Sequence, residues 1–248
     1  QEGAAAATVR YELAILRRAL RVGALRGRIR VVPAFPSIAV DNAREGFFED
    51  DEIALVLGHL DADVRPVIAF LNWVPWRLRE ALSMEWRQVD REAGHITLPA
   101  RKVKTARARV LPYGVFPALR DLIDDQWART KAVPGRIVPW VFHRDGRRIE
   151  EFYSSWRAAC TVAGVPGRYI HDLRRTAARR LLRAGVPEHT VMGLGGWRTR
   201  SMLDRYAILA TGDLEAGLER LAGRPTVKDA VKELRRARVL PGPVRRKS

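Results

Sequence analysis

The chain has 248 residues, 47% of them hydrophobic, which suffices for one large domain or for one domain with a smaller neighbour. Lys and Arg number 45 against 28 Asp and Glu, a formal charge of +17 spread through the body of the chain as well as its end, and such an excess points to a polyanionic partner. The single cysteine, Cys160, excludes an intramolecular disulfide and a cysteine-based zinc site, and no apolar run approaches the ~20 residues of a membrane span.

In chain order, residues 8–26 read as a helix, with Val9, Leu13, Leu16 and Leu20 at helical spacing and Thr8 as its cap. Residues 31–46, with Pro33, Pro36 and Gly46, read as a linker. A second helix opens at Asp50 or Asp51 and turns Ile53, Val56, Leu57 and Leu60 inward. Residues 64–90 are mainly helical and broken at Pro75. Gly94 to Leu98 alternates as a strand does, with Ile96 and Leu98 on one face, and Arg109 to Tyr113 is its candidate partner across a basic turn from Arg101 to Arg107. Helical patterning returns from Trp156 to Tyr206, where Leu173, Ala177, Leu181 and Ala184 form a stripe that stops at Gly185. Pro187 suits the first turn of the next helix, and Thr226 to Val239 reads as a last one before a basic tail. A small antiparallel sheet among many helices makes the expected class α+β, mostly α.

Four segments carry chemistry. In His-Asp-Leu-Arg-Arg-Thr at 171–176, His171 and Arg174 share one helix face near its N-terminus, an arrangement suited to a phosphodiester. An ordinary basic helix start capped by Asp172 has the same composition. In Gly-Gly-Trp-Arg-Thr-Arg-Ser-Met-Leu-Asp-Arg-Tyr at 195–206, Trp197 precedes Tyr206 by nine residues, and Arg198, Arg200 and Arg205 favour the phenolate of that tyrosine. In Trp-Arg-Leu-Arg-Glu-Ala-Leu at 76–82, Arg77 and Glu80 again share a face; the plain alternative is a surface ion pair. Val-Lys-Thr-Ala-Arg-Ala-Arg-Val-Leu-Pro at 103–112 offers Lys104 on a turn, or simply a solvated basic hairpin.

Each piece alone is weak, but the ordered set resembles the tyrosine recombinases of the phage-integrase type, over about residues 8–222. Trp-Arg-Gln-Val-Asp at 86–90 adds to the likeness as a strand entry after the first arginine. The resemblance implies a site-specific recombinase with Tyr206 as nucleophile, Arg77 and Arg174 on the scissile phosphate, Lys104 as general acid, and His171 before the second arginine. Trp197 stands where most of the family has a second histidine, and Glu80 braces the site. Lys102, Arg107, Arg109, Arg175, Arg198 and Arg200 are the further residues expected on DNA. Neither metal nor other cofactor is implied. Three departures stand out: Trp197 cannot act as acid or base, Pro75-Trp76 replaces the common Thr-Gly, and Lys102 competes with Lys104 for the lysine position.

The resemblance also divides the chain. Residues 1–45 correspond to the end of a helical core-binding domain plus linker, 46–222 to the catalytic domain, and 223–248 to a basic tail that docks in cis or on a neighbouring protomer. Expected partners are double-stranded DNA and three further copies in a tetramer on paired sites, with a monomer as the alternative in free solution; no membrane partner is expected, and the location implied is the cytoplasm, at the nucleoid. The competing readings are a type IB topoisomerase, which shares the chemistry, and a non-catalytic DNA-binding protein that has kept the fold.

Overall fold

Capping chemistry and prolines set most element boundaries in the computed structural model, which describes residues 4–39, 46–100 and 108–204. The chain divides into two compact units, residues 1–45 and 46–248. The first is built on α1 (Ala6–Leu25). This helix starts two residues before Thr8, with Ala5 at its cap and no side-chain cap bond, so the expected Thr8 cap is displaced into the first turn. Its run of alanines is reason enough, since Ala is the strongest helix former. Val9, Leu13 and Leu20 of the expected stripe are half-buried, whereas Leu16 is exposed.

In the second unit, α2 (Asp50–Gly58) opens on a capping box in which the Glu49 N–H donates to Glu52 Oε2 at 2.9 Å. Ile53, Val56 and Leu60 are buried as expected, and Leu57 packs against the same core. α3 (Arg65–Trp73) carries Pro66 in its first turn and buries Val67, Ile68, Phe70 and Leu71. It stops because Pro75 forces Val74 into an extended conformation. Arg77 then caps the short α4 (Leu78–Leu82).

The sheet is antiparallel in the order β1 (Val89–Asp90), β2 (His95–Leu98), β3 (Arg109–Leu111). Ile96 pairs with Leu111, and Leu98 pairs with Arg109. Ile96, Leu98 and Leu111 face the core, as the alternation requires. Gly94 (φ 69°) lets the chain turn into β2, and a Cβ there would stand 2.8 Å from the Gly114 backbone. The Arg101–Arg107 turn lies outside the described residues.

Two elements go beyond the sequence reading: α5 (Pro117–Lys131), and a hairpin of β4 (His143–Arg144) with β5 (Arg147–Arg148) around Asp145-Gly146. Then follow α6 (Tyr153–Val162), α7 (Ile170–Arg183), α8 (Glu188–Gly195) and α9 (Arg200–Asp204). α7 runs against α3 through the middle of the unit and buries Leu173 and Ala177. Leu181 is only half-buried and Ala184 is exposed at the C-cap, so the fully buried part of the expected stripe is Leu173 and Ala177. Pro187 occupies the N-cap of α8, one position earlier than expected. The main core gathers Phe70, Trp76, Phe142 and Trp156, while Ala178, Val191, Trp197 and Leu203 form a satellite under the end of α8. No described helix is long and apolar enough to cross a membrane.

Candidate active site

Arg77 enters the site from the cap of α4. Its backbone N–H donates to Glu80 Oε2 at 2.9 Å, and its Nη1 lies 3.2 Å from Glu80 Oε1. Arg109, from β3, places Nη2 2.7 Å from the same Oε1. Its Nη1 donates to the Leu194 carbonyl at 3.2 Å, and its guanidinium lies 5.7 Å from the Trp76 ring. Trp76 Nε1 donates to that carbonyl too, at 3.1 Å. One carboxylate and one carbonyl thus tie α4, β3 and the end of α8 together. Burial works to raise the Glu80 pKa, but the Arg77 N–H bond and the Arg109 cation outweigh it and hold the carboxyl below its ordinary value.

The second arginine comes from α7, whose first turn is closed by the Tyr169 N–H donating to Asp172 Oδ2 at 2.8 Å. Arg174 is 3% exposed. Its Nη2 donates to the Gly195 carbonyl at 2.8 Å, and its guanidinium lies 4.2 Å from the Trp197 ring centroid, a cation–π distance. The Gly-Gly-Trp motif explains itself here. Gly196 (φ 73°) terminates α8, and the Trp197 N–H reaches back to the Met192 carbonyl at 3.0 Å, the long bond of a Schellman motif. That turn folds the indole back over Gly195, where an added Cβ would stand 2.0 Å from the ring. Trp197 therefore needs a glycine two residues before it and a left-handed residue just before it.

His171 and Arg174 line a cleft of about 200 Å³ together with Trp76, Leu78, Tyr153 and Tyr169. Burial first, and the charge of Arg174 next, hold His171 below the ordinary histidine pKa, and Arg77 is close enough to push the same way. The neutral imidazole is the favoured form at neutral pH, so the cleft presents a base beside fixed cations. Among the described residues, no group of three or more His, Cys, Asp or Glu could hold a metal ion.

Of the residues singled out from sequence, Arg77, Glu80, His171, Arg174 and Trp197 come together. Lys102, Lys104, Arg107 and Tyr206 lie outside the described residues. Arg109 and Arg175, set among the DNA contacts by sequence, are both directed inward. Arg109 is the brace just described, and Arg175 is 4% exposed with its guanidinium 5.1 Å from the Phe47 ring. Arg198 is exposed, and Arg200 pairs with Glu188 at 3.2 Å. Sequence reasoning missed Trp76, Tyr153 and Tyr169 as walls of the cleft. Trp76 adjoins Arg77 and carries that signal, whereas nothing local marks the two tyrosines.

The fold is that of integrase and recombinase chains. The Tn1549 transposon integrase, in complex with transposon right end DNA, superimposes with a TM-score of 0.67 at 16% identity, over 90% of this chain and 81% of that one. A λ integrase dimer bound to a COC′ core site gives 0.63 at 15% identity, over 79% and 74%. XerA recombinase gives 0.57 at 17% identity, over 84% and 75%. Residues 52–212 match the phage integrase family, and the chain belongs to that family. The integrase of Salmonella phage P22 is 27% identical over 228 residues, which is 85% of this chain and 56% of that protein. The integrase of Saccharopolyspora erythraea is 40% identical over 70 residues, 27% of this chain and 16% of that one. The chain thus spans about half the length of the P22 protein.

Proposed function

We propose that this chain is the catalytic part of a site-specific DNA recombinase that cuts and rejoins strands through a 3′-phosphotyrosine on Tyr206. The observation that supports this reading is the convergence of Arg77, His171 and Arg174, from two distant segments, on one set of braced cations. Arg77 and Arg174 hold the non-bridging oxygens of the scissile phosphate, where negative charge grows in the transition state. The Tyr206 hydroxyl attacks phosphorus, its proton passing to His171. The bond to the 5′ oxygen breaks, and Lys104 supplies the proton to that leaving oxygen. The phosphodiester energy is kept in the protein–DNA bond, so a second 5′ hydroxyl reverses the step. Trp197 cannot titrate; it packs on Arg174 and keeps that guanidinium in place.

The partner is double-stranded DNA, contacted by Lys102, Arg107, Arg198 and Arg200, and the working assembly is a tetramer on paired sites. The net charge of +17 supports a polyanionic partner. The complete protein is to be incubated with nicked duplexes from the ends of its own genetic element and run on a denaturing gel, beside Tyr206→Phe. An adduct that disappears in the variant is expected. An adduct that persists removes Tyr206 as nucleophile, and no adduct from the wild type leaves a DNA binder without this chemistry. Strand exchange between two labelled duplexes separates a recombinase from a topoisomerase.

A further inference from the structure

The β4–β5 hairpin breaks a rule of sheet pairing. Arg144 and Arg147 are cross-strand partners, and like charges directly opposite destabilise an antiparallel pair. Arg144 is compensated, with Nε 3.3 Å from Asp63 Oδ2 and Nη2 3.4 Å from Asp61 Oδ2. Arg147 and its neighbour Arg148 are exposed and, like Arg136 across the same cleft of about 1240 Å³, form no ion pair among the described residues. Carboxylates do line that cleft, at Asp145, Glu150 and Glu151, yet they do not close on these arginines. A charge arrangement that is unfavourable in the free protein becomes favourable once an anion lies against it.

The hairpin is held rigidly. Asp145 (φ 51°) and Gly146 (φ 76°) are both left-handed, as a two-residue type I′ turn demands. The Gly146 N–H donates to His143 Nδ1 at 3.1 Å, and a Cβ on Gly146 would stand 2.8 Å from Val138. Ile149 anchors the exit of the hairpin, 3% exposed. The position of the surface is also informative. Arg148 lines a second cleft, of about 740 Å³, whose other walls include Glu80 and Arg109. A basic path therefore leads from the brace of the candidate active site to the hairpin.

We propose that the β4–β5 hairpin is a second DNA contact, where Arg136, Arg147 and Arg148 hold the phosphodiester backbone of the duplex away from the cleaved position. This rests on the recombinase reading above. The guanidinium fork matches phosphate oxygens, and continuity with the cleft at Glu80 and Arg109 favours the same DNA over a separate acidic partner. Such contacts position the duplex and carry no sequence preference.

The test compares the complete wild-type protein with Arg147→Gln/Arg148→Gln. The first readout is the slope of log affinity against log salt on a fluorescent duplex of arbitrary sequence. It is expected to become shallower by about 1.8, at ~0.9 per lost phosphate contact. Adduct formation by the wild type on nicked duplex is read alongside, as the control that the recombinase chemistry is present. Arg147→Gln alone is expected to melt no lower than wild type, because it relieves a like-charge pair, so weaker binding is not unfolding. Should the double variant melt early, Arg148→Gln alone reads the same effect at half the size. Equal slopes with a normal wild-type adduct overturn the hairpin proposal and leave the recombinase reading intact. Equal slopes with altered sedimentation assign the surface to a second copy and overturn it too. A wild type that neither binds duplex nor forms an adduct overturns both.

Discussion

Arg109 Nη2 lies 2.7 Å from Glu80 Oε1, the oxygen that Arg77 Nη1 also reaches at 3.2 Å. A single carboxylate therefore orients an arginine of the site and fastens α4 to the sheet. Removing it leaves two guanidinium groups facing each other, one of them only 14% exposed. Glu80→Ala is expected to cost about 3 kcal/mol, as for other ion pairs broken from one side out of water. That corresponds to roughly 6–12 °C in Tm for a domain of this size. In a double-mutant cycle with Arg109→Met, the coupling is expected within ~0.5–3 kcal/mol; additive losses would show that the pair does not act as a unit.

Two glycines in α8 make opposite predictions. An added Cβ at Gly193 meets nothing within 4 Å, whereas at Gly195 it stands 2.0 Å from Trp197. Gly193→Ala is expected to stabilise the protein by about 0.5–1 kcal/mol, the ordinary gain of Ala over Gly inside a helix. Gly195→Ala must displace a buried indole and is expected to cost about 1–3 kcal/mol. It is also expected to slow adduct formation, because Arg174 loses the ring it packs on. Thermal melts of both variants check the sign, and the same sign for both would refute the packing account.

Arg174→Lys keeps the charge and loses the fork. Lysine cannot reproduce both the Gly195 carbonyl bond and the planar stack on Trp197. Single-turnover adduct formation is expected to fall about 10²-fold or more, the scale seen when one fixed transition-state donor is removed. Duplex affinity at low salt is expected to change only a few-fold. Equal losses in both measurements would place Arg174 in ground-state binding instead.

His171 is held below the ordinary histidine value by burial and then by the Arg174 charge. Its imidazole is therefore expected to titrate below pH ~6.5 by NMR, and to stay neutral at pH 7. The Arg174→Gln variant removes one of the two main causes, so the midpoint is expected to move up. A midpoint that does not move would mean that burial alone sets it.

His143 gives a stability signature of its own. Its Nδ1 accepts the Gly146 N–H, so Nε2 carries the proton and faces Thr130 Oγ1 at 3.1 Å, an oxygen that also accepts Trp86 Nε1. Burial and the Arg129 charge lower its pKa against the opposing pull of Asp63 and Asp145. The unfolded chain binds this proton near pH ~6.5 and the folded chain only at lower pH. The stabilisation is thus complete above about 6.5 and is lost as pH falls from there through the folded-state value. Tm is expected to decline over that window in the wild type, and less steeply in His143→Gln. Identical slopes would show that His143 does not titrate on unfolding.

What the amino-acid order determined by itself is local. The i,i+3 relation of Arg77 to Glu80 and of His171 to Arg174, the break at Pro75, the alternation at Ile96 and Leu98, and the helix stop at Gly185 all follow from backbone periodicity and steric limits. The family resemblance was legible for the same reason, since its motifs are short runs with set spacing. Other relationships were decided only by packing. Arg109 looked like a free basic residue beside a turn, yet it bonds Leu194, 85 positions away; Trp76 bonds the same carbonyl across 118 positions. No periodicity encodes such contacts. They exist because β3, α4 and the end of α8 bury apolar faces against one core, and the polar atoms drawn in with them must find partners there. The hairpin is mixed: six residues whose Asp145-Gly146 turn is a local signal, but whose seat depends on the buried His143 and on Val138 beneath Gly146.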